Sequence, residues 1–319
     1  MAMDWRGMSS FDLPVVLKGL LANPNWMRAI RDNMIQGYAC KLVMQHFAKH
    51  GLLDKEWLHF SSNGSSDSSP IPLFDDSKPP ISVFYGNSQG GIFGAAYTAL
   101  LGKTGLIDRG ILGTPGTPYF LVMYQSNKFD FYDALMMQNF YNNRHIRMVF
   151  TILQMALDPV EPSSLLAPPV KEPYPPMLIQ SGLGDPVIYI LTTEALARAY
   201  NASILPNNPR KKIFGISMAN GSMPHVAWTE LLYEDQYELL QVNDVGQQKA
   251  NRTVNMIHEC LRQDCALIDQ MSQFINDGLV IDPCRRDQCL RKSIACRVET
   301  LTGSIYTKPR DWTCAKDSE

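Results

Sequence analysis

Ile81-Ser82-Val83-Phe84-Tyr85 runs into Gly86-Asn87-Ser88-Gln89-Gly90, and then into Gly91-Ile92-Phe93-Gly94-Ala95-Ala96-Tyr97-Thr98-Ala99-Leu100-Leu101, closed by Gly102. The first segment is apolar and β-favouring, and the last is a small-residue helix candidate. Between them stands a G-x-S-x-G. A strand, this pentapeptide and a helix, in that order, form the context of a nucleophile elbow. Ser88 is expected on a strained turn, with Gly86 and Gly90 leaving room where a Cβ would clash. The plainer alternative is a glycine-rich strand-to-helix turn whose serine is idle.

Working outward, further strands and helices alternate around this centre. Phe11 to His50 carries apolar residues at three- and four-residue steps (Met34, Ile35, Tyr38, Leu42, Val43, Phe47), with a break expected at Asn23-Pro24. Ser61 to Pro80 is a Ser/Asp/Pro-rich loop. Arg109–Gly113 predicts a short buried strand that ends in Thr114-Pro115-Gly116. Tyr119 to Leu157 is rich in Met and aromatics, with helical spacing over Asp133–Tyr141 and Ile146–Leu157; such a stripe is more often core than binding surface. After a proline-rich connector, Asp158 to Pro176, come a strand at Met177–Ser181 and a helix at Thr192–Tyr200. Ile213–Ile216 and Val226–Tyr233 are strand candidates. His258 to Ile275 predicts one amphipathic helix, with Leu261, Cys265, Ile268, Met271 and Ile275 on its apolar stripe. The alternation implies an α/β fold with a mainly parallel sheet.

The 319 residues, 45% of them hydrophobic, suffice for one sizeable core. A net charge of -2 leaves no electrostatic footprint for nucleic acid or an anionic membrane. No apolar run is long enough to span a bilayer, and Met1-Ala2-Met3-Asp4-Trp5-Arg6 lacks the zones of a signal peptide. Six of the seven cysteines (Cys260, Cys265, Cys284, Cys289, Cys296, Cys314) crowd the C-terminal stretch, while Cys40 stands alone. An even cluster suits disulfides and an oxidising compartment, and sequons begin at Asn63, Asn201, Asn220 and Asn251. These features lean towards a secretory setting. The C-x4-C spacing of Cys284 and Cys289 fits zinc poorly, since no second ligand pair follows.

A serine hydroxyl becomes a nucleophile when an imidazole takes its proton and a carboxylate holds that imidazole in the right tautomer. Asp185 follows the Met177–Ser181 strand through Gly182-Leu183-Gly184, a turn able to aim a carboxylate back over the sheet. Its plainer role is to cap local backbone N–H groups. Two histidines compete for the base. His258 serves if Val226–Tyr233 is the last strand, His225 if Ile213–Ile216 is. The longer strand run, and a helix opening at His258, favour His258. His145, His50 and His46 lie on helices, away from strand ends.

The elbow, acid and histidine order resembles the α/β-hydrolase superfamily over roughly Asp4 to Ile275. Asp4-Trp5-Arg6-Gly7-Met8-Ser9, Gly86-Asn87-Ser88-Gln89-Gly90-Gly91-Ile92 and Arg109-Gly110-Ile111-Leu112-Gly113-Thr114-Pro115-Gly116 resemble, more narrowly, a poorly characterised and largely bacterial α/β-hydrolase-like group. In that group His-Glu at the head of the last helix belongs to the pattern, which supports His258; Cys284 and Cys289 also fit it. The chain departs from the group in Pro186-Val187 directly after Asp185 and in the Ser61–Pro80 insertion. The resemblance implies a partial hydrolase domain over 1–280, with 119–176 as lid and connector, and a cysteine-bearing tail over 281–319. It also implies that the chain starts after the first four strands of the full fold. One oxyanion-hole N–H would then come from outside these residues, and the N–H of Gln89 would be the other.

The expected function is acyl hydrolysis of an ester-like small molecule by Ser88, His258 and Asp185. The Met- and aromatic-rich segment favours a substrate with an apolar portion, and no metal or organic cofactor is implied. The alternatives are a catalytically incomplete, hydrolase-like binding protein and an acyltransferase.

Overall fold

The computed structural model describes residues 6–21, 23, 25–50, 59–60, 71–72, 81–102, 104–140, 142–166, 174–220, 223–233, 257–284 and 290–291. Helices α1 (Leu13–Leu21) and α2 (Trp26–His50) come first, and the break expected in this region falls between Leu21 and Trp26. A separate two-stranded antiparallel sheet, β1 (His59–Phe60) and β2 (Ile71–Pro72), follows. Then come β3 (Val83–Asn87), α3 (Gln89–Leu101), β4 (Arg109–Gly113), α4 (Tyr119–Gln125), α5 (Asp130–Asn139), α6 (Asn143–Leu157) and α7 (Pro162–Leu165). The rest comprises β5 (Met177–Gly182), α8 (Ile190–Ala199), β6 (Ser203–Ile204), β7 (Ser217–Met218), β8 (Val226–Tyr233), α9 (Ile257–Cys260), α10 (Cys265–Asp277) and β9 (Leu290–Arg291).

The fold is α/β. The main sheet has the order β3-β4-β5-β8-β6-β7, with β9 pairing on the end of β8, and every pairing is parallel. Strands β5 and β8 are buried along their whole length, as central strands covered on both faces must be. Side-chain alternation sorts their residues into two cores. Leu112, Ile179 and Trp228 meet Ala95 of α3 and Leu196 of α8 on one face, whereas Ile111, Leu178 and Ala227 meet Phe274 of α10 on the other. Helix α3 is apolar or small all round, and Gly91 through Thr98 are buried. At one margin of the sheet, β3 pairs with β4 alone among the described residues.

Two expectations need correction. Ile213–Ile216 is a tight turn: Gly215 has φ 72°, and the Ile216 N–H donates back to the Ile213 carbonyl at 3.2 Å. The short strand lies just beyond it, at Ser217–Met218. His258 to Ile275 is not one helix either. It divides into α9, a 3-10 turn at Leu261–Gln263, and α10. Asp264 makes the division, because its backbone is extended and its side chain accepts from the Ala266 N–H at 3.0 Å as the cap of a new helix. The restart shifts the buried stripe to Leu267, Gln270 and Phe274, and leaves Ile275 exposed.

Helix α4 lies where no separate helix was expected. Among the described residues no helix is long and apolar enough to cross a membrane. Cys289, Cys296 and Cys314 lie outside the described residues, as does the side chain of Cys260.

Candidate active site

In a parallel sheet all strands release their chains at the same edge, and ligands bind at that carboxyl-terminal edge. Asn87, Gly113 and Gln180 stand side by side in register near the ends of β3, β4 and β5. Ser88, Thr114 and the Leu183–Asp185 turn therefore emerge together.

Ser88 caps α3 with φ 57° and ψ −124°, a conformation costing a non-glycine residue about 1–3 kcal/mol. Several bonds enforce it. The Ser88 N–H donates to the Gly113 carbonyl at 2.8 Å and to Thr114 Oγ1 at 3.2 Å. Its carbonyl accepts from Gly91 N–H at 2.8 Å and Ile92 N–H at 2.9 Å. Thr114 is itself at φ 45° and buried, an uncommon state for a β-branched residue. The expectation about glycines holds for one of the two. A Cβ on Gly86 would run into the Gly90 carbonyl, whereas a Cβ on Gly90 would meet nothing within 4 Å. The second constrained position is Gly91, where a Cβ would come within 2.7 Å of the Gly113 carbonyl oxygen. Strand and helix at the elbow thus pack backbone to backbone through Gly86 and Gly91.

Gln89 opens α3, so its N–H has no carbonyl one turn earlier to bond within the helix. The partial positive charge of the helix start adds to that donor.

Asp185 follows Gly184, which has φ 81°. Its two oxygens divide the work. Oδ1 accepts from the N–H groups of Val187 at 2.7 Å and Ile188 at 3.1 Å, while Oδ2 lies 2.7 Å from His258 Nδ1. The local cap and the histidine partner, two readings of this residue, therefore coexist. The turn also accounts for Pro186, whose carbonyl accepts from Asn127 N–H at 3.0 Å. His258 and Asp185 are both buried. The helix bearing His258 is fixed by Ile257, which packs with Leu231, Tyr233 and Leu261. Gly182 makes room for it, since a Cβ there would meet both Ile257 and Leu261.

The rival His225 is exposed and immediately precedes β8, which places it at the amino-terminal edge of the sheet, opposite Ser88. There its Nε2 lies 2.7 Å from the Tyr174 carbonyl oxygen. Asp185 and His258 are brought together; among the described residues no hydrogen bond joins Ser88 Oγ to His258.

Two residues that sequence reasoning missed support this edge. Thr114 steadies the Ser88 backbone, as above. Glu161 is fully buried and accepts from the Tyr119 N–H at 2.6 Å, the Thr117 hydroxyl at 3.3 Å and the Ser163 hydroxyl. Burial pushes its carboxyl pKa up, against the opposing pull of those bonds. It ties the Thr114–Pro118 loop and the start of α4 to α7. Among the described residues no group of three His, Cys, Asp or Glu side chains could hold a metal ion.

A carboxylate accepting from Nδ1–H leaves the other imidazole nitrogen, Nε2, as a proton acceptor. No family model, no curated protein and no solved structure matches this chain.

Proposed function

We infer that this chain is a serine hydrolase acting on esters or related acyl compounds. Ser88 is the nucleophile, His258 the general base and then acid, Asp185 the group that orients it, and the Gln89 N–H an oxyanion donor. The observation that carries the reading is the buried 2.7 Å contact between Asp185 Oδ2 and His258 Nδ1, on the edge where Ser88 stands on a strained turn. Side chains 73 residues apart in sequence have no local reason to meet there.

An α/β-hydrolase-like fold belongs to the same reading. Four adjacent parallel strands, β3, β4, β5 and β8, precede Ser88, Thr114, Asp185 and His258 in chain order. That is the order in which the superfamily places nucleophile, acid and base. In the reaction His258 Nε2 takes the Ser88 proton as Oγ attacks the acyl carbon, and Asp185 stabilises the imidazolium. The proton then passes to the leaving alcohol, and water repeats the cycle on the acyl-enzyme.

A second reading, a hydrolase-like protein that binds without turnover, draws on the absence of a Ser88–His258 hydrogen bond among the described residues. Against it, such bonds are often long in ligand-free sites and tighten in the complex. Hydrolysis of p-nitrophenyl acetate, butyrate and octanoate by the purified protein separates the two. Hydrolysis is expected to fall by about three decades or more in His258→Ala. A folded protein inert on all three esters overturns the hydrolase reading.

A further inference from the structure

Helices α4 and α6 enclose a groove of about 530 Å³, lined by Phe120, Leu121 and Tyr124 from one helix and Arg147, Phe150 and Thr151 from the other. Its volume lies inside the range of roughly 300–1,000 Å³ typical of small-molecule sites. Ser88, Asp185 and His258 do not line it, so it is a place apart from the candidate active site.

Its chemistry is uneven. The walls are mostly aromatic and aliphatic, with Gln125, Thr151 and Gln154 as neutral polar groups, and the one charged group among the lining residues is the Arg147 guanidinium. No carboxylate pairs with that guanidinium among the described residues. Arg147 is nevertheless held in place. Its Nε donates to the Tyr124 hydroxyl at 3.0 Å, and its guanidinium carbon lies 5.2 Å from the centre of the Tyr124 ring. With Nε engaged, the two terminal nitrogens remain as a fork suited to a carboxylate. An oriented cation above an apolar trough complements a ligand with one anionic head and one aliphatic tail.

We propose that the α4–α6 groove binds an aliphatic monocarboxylate, with the tail against Phe120, Leu121 and Phe150 and the carboxylate on Arg147. The site needs no chemistry at Ser88. Its test is therefore run in Ser88→Ala, where hydrolysis plays no part, and its failure leaves the hydrolase reading intact.

Calorimetric titration of that variant with decanoate, and separately with neutral 1-decanol, is expected to show one site for each. Adding Arg147→Gln should weaken decanoate by about ten- to a hundredfold, the worth of a hydrogen bond to a charged group, and leave decanol nearly unchanged. Adding Thr151→Trp fills the groove and should abolish both. Arg147 and Thr151 are exposed, so both variants are expected to fold, as a melting curve will show. Absence of decanoate binding by the folded protein, or binding that survives both substitutions, overturns the proposal. So would equal weakening of acid and alcohol by Arg147→Gln.

Discussion

Replacing Asp185 by Asn separates two jobs done by one carboxylate. Oδ1 holds the turn through the Val187 and Ile188 N–H groups, and Oδ2 faces His258 Nδ1. Asparagine keeps an oxygen for the turn but presents an NH₂ to the imidazole. That donor forces Nδ1 to accept, so the ring proton moves to Nε2, which can then no longer take the proton of Ser88 in the proposed reaction. A wrong tautomer of this kind costs about four decades in kcat, or ~5.5 kcal/mol of barrier. Stability should change little, because the turn bonds survive. Asp185→Ala removes both functions and leaves two buried N–H groups without an acceptor, at about 1–3 kcal/mol each. The assay is kcat on p-nitrophenyl butyrate beside a thermal melt for both variants. Asp185→Asn should be nearly inactive with a near-native midpoint, and Asp185→Ala inactive with a lowered one. An Asp185→Asn protein within about tenfold of the parent kcat would refute the assigned role of the pair.

Three further outcomes follow from particular contacts. Gly86→Ala drives a Cβ into the Gly90 carbonyl and should destabilise by about 1–3 kcal/mol with loss of activity, whereas Gly90→Ala meets open space and should leave both unharmed; melts and ester hydrolysis will distinguish them. Asp12 accepts from the Gly7 and Ser9 N–H groups and the Ser9 hydroxyl, and Asp12→Asn should lose about 1–3 kcal/mol at pH 7 by denaturant titration. Burial pushes the Asp12 carboxyl up but these bonds outweigh it and hold it below its usual value, so its stabilisation is complete above that value and is lost as pH falls through the lowered one; the gap between parent and variant should close in strong acid. Glu161 runs the other way: burial raises its folded-state pKa above 4.5, so the fold binds the proton more tightly than the unfolded chain. Its contribution to stability therefore grows as pH falls through the raised value towards 4.5, and the melting midpoint of the parent relative to Glu161→Gln should rise over that interval.

Where the sequence was readable, the physics is local or periodic. Arg109–Gly113, Met177–Ser181 and Val226–Tyr233 are rich in apolar residues because both faces of their strands are covered, and strands form at all three, the second running on to Gly182. The elbow was readable because glycines at fixed offsets permit a close backbone crossing, although the choice of Gly90 over Gly91 needed the neighbouring strand. Helix α4 was lost inside an aromatic stripe that shows no polar cap before Tyr119. The break at Asp264 did have a signal, an N-cap residue just before Cys265, which the apolar periodicity across it concealed. The choice between His258 and His225 depends on which end of β8 faces Ser88, a matter of topology that neither flanking sequence encodes. Thr114, Glu161 and the Arg147–Tyr124 pair act across 26, 42 and 23 residues of chain, and no local pattern announces contacts of that range.

The central claim is that Ser88 is an activated nucleophile. Incubation of the folded protein with a fluorophosphonate, followed by intact-mass and peptide mass spectrometry, tests it directly. One adduct is expected, on the peptide containing Ser88, absent in Ser88→Ala and strongly slowed in His258→Ala. A folded protein that takes up no label, or labelling that persists in Ser88→Ala, would contradict it.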